Sequence, residues 1–105
     1  MVFSKFGVWE NRSGNKILLN GTTTVGLTTK VQSALYSKTK EFSVVDRDNA
    51  SDDTYANTLV VDFSGNETVA QKLADLVGGR VADLPEGETK PETADFLVIL
   101  GTDQD

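Results

Sequence analysis

The chain has 105 residues, which suits one domain with a single hydrophobic core and is short for a two-lobed enzyme. Its 16 acidic and 10 basic side chains give a net charge of -6, which disfavours nucleic acids and anionic lipids, because both are bound through Lys and Arg. The chain contains no cysteine and no histidine, so disulfides, thiol chemistry and histidine catalysis are excluded.

Residues 1–15 predict an N-terminal arm or linker, ahead of a folded domain at residues 16–105. The arm contains Phe3, Phe6 and Trp9 and ends in a Gly-Asn pair typical of a turn. These aromatic side chains are one candidate platform for stacking on sugars. The simpler alternative is that they cover one end of the core.

The short apolar run of Ile17, Leu18 and Leu19 predicts a first strand at residues 16–19, and the Asn-Gly pair after it predicts a sharp turn. A helix follows, because apolar residues recur at the spacing of one helical face. They are Leu27, Val31, Ala34 and Leu35. Thr24 is the predicted N-cap of this helix. A second strand is predicted at residues 42–45, and the acidic segment 46–53 predicts a solvated loop.

The second half of the chain repeats this order. Residues 58–63 predict a buried strand, and Ser64 and Glu67 have the spacing of a capping box at the start of a helix. The apolar face of that helix consists of Val69, Leu73, Leu76 and Val77. A brief strand is predicted at residues 80–82, and residues 95–100 form the most apolar strand of the chain.

Two β-α-β halves followed by one apolar strand predict an α/β (α+β) fold. Each helix carries a single apolar stripe, so both helices are expected on one face of the sheet. The predicted architecture is a two-layer sandwich with a mixed sheet of four to five strands, in which the last strand is central.

Residues 21–28 partly match the nucleotide-binding P-loop, with both glycines and the final threonine in place, and Asp62 resembles the strand-borne aspartate that helps to hold magnesium in nucleotide-binding proteins. The lysine that pairs with phosphate is replaced by Leu27. Because Leu27 also begins the apolar stripe of the first helix, its side chain is expected to point into the core. A diverged nucleotide site is therefore a weaker hypothesis than an ordinary strand–helix corner.

Four carboxylates within eight residues suggest a calcium loop. They are Asp46, Asp48, Asp52 and Asp53. An EF-hand would need an oxygen ligand, a glycine and a glutamate where Ala50, Ser51 and Asn57 stand. A solvated loop is the better interpretation. No Ser, Thr or carboxylate has a spacing that singles it out for catalysis, so we predict no catalytic residue, no metal and no cofactor.

Several short motifs occur in a characteristic order. They are ILLNGT at 17–22, VGL at 25–27, FSVVD at 42–46 with NA at 49–50, TLVV at 58–61, the Ala, Leu and Gly positions within 70–78, and FLVILGTD at 96–103. Together they resemble the C-terminal domain of LytR/CpsA/Psr cell-envelope proteins over residues 16–103. Thr28 and Thr29 depart from the small residues usual in that family.

The resemblance implies a non-catalytic accessory module outside the plasma membrane of a Gram-positive bacterium. The parent protein would be tethered by an upstream transmembrane helix. Its separate catalytic domain would transfer lipid-linked glycopolymers, such as teichoic acids or arabinogalactan, to peptidoglycan. The active site of that transferase lies outside these 105 residues, so no catalytic residue is carried over.

The expected ligand is cell-wall glycan or an anionic cell-wall polymer, bound at the strand–helix corner and a neighbouring strand end. The candidate binding residues are Asn20, Gly21, Thr22, Thr23, Thr24, Gly101 and Thr102. The alternative is a protein-interaction or self-association module that uses the aromatic arm or an edge strand and has no glycan ligand.

Overall fold

The structure is a computed structural model that describes residues 16–38, 44–91 and 94–104. The described elements, in chain order, are β1 (Lys16–Asn20), α1 (Leu27–Lys38), β2 (Val44–Asn49), β3 (Leu59–Asp62), α2 (Glu67–Val77), β4 (Arg80–Val81), β5 (Phe96–Leu100) and a 3-10 helix (Thr102–Gln104). The predicted arm at residues 1–15 lies outside the described residues.

The strands form one sheet with the order β2-β1-β5-β3-β4. Strand β1 pairs in parallel with β2 and with β5, and β3 pairs in parallel with β4. Strand β5 is antiparallel to β3, which makes the sheet mixed. Each helix connects the two parallel strands of its own half, as parallel pairing requires. The predicted fold class is therefore confirmed, including the two β-α-β halves and the central position of the last strand.

Successive strand residues point to opposite faces of the sheet, and each face has its own apolar cluster. The cluster shared by both helices contains Leu18, Leu27, Val31, Leu35, Val60, Ala70, Leu73, Ala74, Val77, Phe96, Val98 and Leu100. The cluster on the other face contains Ile17, Leu19, Val61, Ala94, Leu97 and Ile99, and is covered by the loop residues Ala50, Tyr55, Phe63 and Leu84. Loops thus cover the face that the helices leave open.

The predicted apolar stripe of α1 is correct at Leu27, Val31 and Leu35, which are buried, and wrong at Ala34, which is exposed. The N-cap prediction is also wrong. The helix begins at Leu27, and the first hydrogen bond of its backbone runs from the amide of Lys30 to the carbonyl of Gly26, at 3.1 Å. Thr24 lies before this turn.

The start of α2 differs from the predicted capping box. Asn66 is the N-cap, and its Oδ1 accepts from the amide of Val69 at 3.2 Å. The Ser64 hydroxyl donates instead to Asp62 at 2.8 Å. The buried residues are Ala70, Leu73, Ala74 and Val77, whereas Val69 and Leu76 of the predicted stripe are only partly buried. The stripe is therefore rotated by about one residue toward the two alanines.

Strand β2 extends through Asn49, although residues 46–49 were predicted as part of a loop. It lies at the edge of the sheet, where Asp46, Arg47 and Asp48 are exposed. Edge strands carry charged side chains at little cost because these reach water. Apolar patterning therefore misses this strand. Residues 42–43, the start of the predicted strand, lie outside the described residues.

A network of hydrogen bonds joins the 3-10 helix to Thr58, the residue just before β3. The carboxylate of Asp103 accepts from the Thr58 amide at 2.9 Å and from the Thr58 hydroxyl at 2.6 Å. The same hydroxyl accepts from the Gly101 amide at 3.1 Å and from Gln104 Nε2 at 2.9 Å. Thr58 is fully buried, so this network satisfies polar atoms that water does not reach.

Replacing Asp103 with Ala should lower the free energy of unfolding by about 2 kcal/mol, because the buried Thr58 amide loses its charged acceptor. Urea unfolding followed by circular dichroism measures the change. The matched control is Asp83→Ala, which removes an exposed loop carboxylate and should stay within about 0.5 kcal/mol of the wild type. Equal midpoints for the two variants would contradict the role of Asp103.

Candidate functional site

The corner between β1 and α1 is folded by its own polar side chains. Asn20 Oδ1 accepts from the amide of Thr22 at 3.0 Å and from its hydroxyl at 2.8 Å. Asn20 Nδ2 donates to the Thr24 carbonyl at 2.7 Å. The Thr22 hydroxyl in turn accepts from the Thr24 amide at 3.0 Å. The amides of Thr22 and Thr24 are thus bonded to side chains of the corner itself, which leaves fewer donors for an anion than the sequence suggested.

Gly21 has a packing role. Its amide donates to the Leu100 carbonyl at 2.9 Å, and its carbonyl accepts from the Tyr55 amide at 3.0 Å. A Cβ at this position would lie 2.6 Å from Tyr55 Cδ2 and 2.7 Å from the Leu100 oxygen, closer than real Cβ contacts. Glycine is therefore required here because the end of β5 and a ring of the covering loop both approach the backbone.

Tyr55 holds the covering loop under this corner. Its hydroxyl donates to Glu88 Oε2 at 3.0 Å, and the Ser51 amide donates to both oxygens of the same carboxylate at 3.1 Å. Burial raises the pKa of Tyr55 to about 12, and the hydrogen bond and charge of Glu88 act in the same direction. The neutral phenol is thus the form that the fold stabilises.

Leu27 occupies the place of the P-loop lysine, and its side chain is 1 % exposed within the helix-side cluster. The prediction that this side chain points into the core is confirmed. At this corner, the position from which a P-loop lysine reaches a phosphate is filled by an apolar side chain.

A cleft of about 670 Å³ opens beside the corner, between α1 and the edge strand β2. Its lining residues are Asn20, Thr22, Thr23, Thr24, Val25, Gly26, Thr28, Gln32, Val44, Asp46, Arg47, Asp48 and Asn49. A second depression of about 450 Å³ shares Asn20, Thr22 and Asn49 with it and continues toward residues 50–53. The volume of the cleft is in the range of ordinary small-molecule sites.

The cleft is mostly neutral and polar. Its lining residues include three with amide side chains and four threonines, together with Asp46 and Asp48, whose carboxylates accept from the amides of Arg47 and Asn49. The one guanidinium, that of Arg47, donates to the Thr29 hydroxyl at 2.6 Å. Amides and hydroxyls both donate and accept hydrogen bonds, whereas the two carboxylates only accept. Such a lining suits a ligand rich in hydroxyl groups better than a polyanion.

The structure divides the predicted site residues into two groups. Asn20, Thr22, Thr23 and Thr24 line the cleft, whereas Gly21, Gly101 and Thr102 are not among its lining residues. Gly101 is buried, and a Cβ there would lie 2.7 Å from the backbone of Ala56 and Asn57. The Thr102 amide donates to the Tyr55 carbonyl at 2.9 Å. These two residues hold the loop at 55–58.

Three further residues line the cleft although no sequence pattern indicates them as site residues: Thr28, Gln32 and Asn49. Thr28 and Gln32 follow Leu27 and Val31 by one position, so they flank the buried stripe of α1 on one side. Asn49 lies in register with Asn20 at the ends of two parallel strands. The predicted β-α-β unit already implies that Asn49 lies near Asn20, because parallel strands end at the same edge of a sheet.

The acidic segment shows local capping. Asp52 Oδ1 accepts from the Thr54 hydroxyl at 2.5 Å and from the Thr54 amide at 2.8 Å, and these bonds lower the pKa of Asp52. Within residues 16–38, 44–91 and 94–104, no three His, Cys, Asp or Glu side chains are grouped as metal ligands.

Residues 18–103 match the model of the family described as LytR cell envelope-related transcriptional attenuator. The chain belongs to the LytR C-terminal family. It is therefore an accessory domain of the cell envelope. No curated protein and no solved structure gives a significant match to this LytR C-terminal domain. Neither α1 nor α2, the α-helices in the described part of the chain, has the length and hydropathy of a membrane span.

Replacing Asn20 with Ala should lower the free energy of unfolding by about 2 kcal/mol, because three hydrogen bonds of the corner are lost. Asn20→Asp keeps the accepting oxygen and loses only the donation to Thr24, so its cost should be about 1 kcal/mol. Thr23→Ala, at an exposed position of the same corner, is the control and should be near neutral. If all three variants unfold at the same urea concentration, Asn20 does not organise the corner.

Replacing Tyr55 with Phe should make stability less sensitive to alkaline pH. The phenol pKa rises from an ordinary 10.0 to about 12 on folding, so its stabilising contribution is complete below pH 10.0 and is lost as the pH rises to about 12. The wild type should therefore exceed Tyr55→Phe in stability at pH 9, and the difference should shrink between these two values. Urea midpoints measured across this range test the expectation, and a constant difference would contradict it.

Proposed function

We propose that this LytR C-terminal domain binds uncharged cell-wall glycan in the cleft between α1 and β2. In this proposal the domain is a non-catalytic, extracytoplasmic module. It helps to position a membrane-tethered Gram-positive parent protein whose separate domain transfers glycopolymer to peptidoglycan. Family membership supports the cell-envelope setting.

The observation that carries the glycan assignment is the neutral polar lining of the cleft. Gln32 and Asn49 supply amide donors and acceptors on opposite walls, and the threonines of the corner supply hydroxyls. Sugars present hydroxyl and acetamido groups that match this pattern. At the rim, Val25 is 97 % exposed and offers an apolar contact to the C–H face of a sugar ring.

Charge favours glycan over an anionic polymer. The cleft offers an anion little positive charge, because its guanidinium, that of Arg47, is held by Thr29 and two aspartates, Asp46 and Asp48, lie on the β2 wall. The whole chain carries a net charge of -6, which repels polyphosphates at long range. Of the two ligands expected from the sequence, the neutral one is the better match.

The alternative function, protein interaction or self-association, rests partly on the aromatic arm. That arm lies outside the described residues, so this part of the alternative stays a prediction.

Soluble N-acetylglucosamine oligosaccharides, which are uncharged and carry hydroxyl and acetamido groups, should shift the NMR signals of Thr23, Gln32 and Asn49 more than those of α2 when titrated into labelled protein. Gln32→Ala and Asn49→Ala should each weaken binding about threefold to tenfold, since each removes one hydrogen-bonding side chain from a cleft wall. Gln71→Ala, on the exposed surface of α2, is the matched control and should bind like the wild type.

A soluble teichoic acid serves as the second probe. If neither probe shifts any signal at millimolar concentration, a glycan or polymer function is contradicted. Shifts with the teichoic acid alone contradict the neutral-glycan assignment while leaving a cell-wall ligand in place.

A further inference from the structure

Strand β2 has one free edge in the described part of the chain, since it pairs with β1 and stands first in the sheet order. The backbone N–H and C=O groups of alternate residues in a strand point to the same side. The Ala50 amide, just after β2, donates to the Asn20 carbonyl at 3.0 Å, which places the even-numbered residues toward β1. Arg47 and Asn49 therefore face outward.

The outward amides of Arg47 and Asn49 are each covered by the side chain of the preceding residue. The Arg47 amide donates to Asp46 Oδ1 at 2.8 Å, and the Asn49 amide donates to Asp48 Oδ1 at 2.8 Å. The same arrangement thus occurs twice at a two-residue spacing. An added strand needs both donors and acceptors from the edge, but over Asp46–Asn49 this edge presents carbonyls and carboxylates, which are acceptors only.

We infer that Asp46 and Asp48 close the β2 edge against strand addition by capping its outward amides, and that a second copy of this chain pairs there once the caps are removed. Antiparallel pairing of two β2 strands would join Arg47 of one copy to Asn49 of the other, in both directions. The described residues Asp46–Asn49 then supply four hydrogen bonds across a two-fold axis that passes beside Asp48.

The fold makes β2 the edge that needs this protection. The strand at the opposite edge, β4, has only two residues and offers a short template. Strand β2 has six residues, long enough to template a partner strand. In such a pair, Asp48 of one copy would also face Asp48 of the other and repel it. The effect of amide capping and the effect of charge must therefore be measured separately.

Three double variants make this separation. Asp46→Ala with Asp48→Ala removes the caps and the charges. Asp46→Asn with Asp48→Asn removes the charges but keeps an oxygen at the Oδ1 position. Asp53→Ala with Asp83→Ala removes two exposed carboxylates elsewhere and leaves β2 intact. Sedimentation equilibrium measures the association constant of each, and two-dimensional NMR spectra verify that each is folded.

The alanine pair should self-associate at least about tenfold more tightly than the wild type, whereas the asparagine pair and the control pair should match the wild type. Equal association constants for the double alanine and double asparagine variants would contradict the role of capping, because loss of charge alone would then explain the self-association. If the double alanine variant is folded and does not self-associate, the inference that the two aspartates prevent strand pairing at β2 is wrong.

Hydrogen exchange of the wild type provides an independent test that needs no variant. The Arg47 and Asn49 amides should exchange more slowly than the amide of Asp53 in the exposed loop, since the carboxylates bind them. Equal exchange rates would show that the caps are not formed in solution and would overturn the inference.

Discussion

The insertion of β5 between β1 and β3 is the constraint on which the rest of the structure depends. The two β-α-β halves do not pair with each other directly in the sheet; each pairs with one side of β5. All five residues of this strand are buried, and its alternate side chains enter both apolar clusters. The antiparallel pairing with β3 brings the start of β3 to the same end of the sheet as the corner after β1.

The candidate site inherits its geometry from this arrangement. The last carbonyl of β5, that of Leu100, accepts the Gly21 amide, and the residues after it hold Thr58 and the loop that covers Gly21. The corner therefore packs against the end of β5 and against Tyr55. Its open side faces β2, where Asn49 ends in register with Asn20 and completes the cleft.

The buried elements could be predicted from sequence because their signals come from burial itself. The run at residues 96–100 is apolar at every position and lies at the centre of the sheet, and Leu27, Val31 and Leu35 recur at helical spacing and face the core. Helix caps were harder to predict, because they depend on which of several nearby polar groups forms a given hydrogen bond. Both Ser64 and Asn66 are suitable caps; in the fold the Ser64 hydroxyl donates to Asp62, and Asn66 caps the helix.

The candidate site was predictable only in part, for a similar reason. The corner at residues 20–24 has a clear turn signal, but its partner wall is a charged edge strand that apolar patterning assigns to a loop. Gly101 and Thr102 also follow the end of a strand, but they pack against the loop at residues 55–57. The sequence does not reveal the path of that loop.

The Asn20-Gly21 pair also bears on the chemical ageing of the protein. Asparagine before glycine is prone to cyclise: the glycine nitrogen attacks the side-chain carbonyl carbon, ammonia leaves, and hydrolysis of the imide gives aspartate or isoaspartate. In the fold that nitrogen donates to Leu100 at 2.9 Å, and the Asn20 side chain is held by Thr22 and Thr24. Cyclisation requires the end of β1 to separate from β5, so the lifetime of the intact corner is set by local opening rather than by solvent exposure.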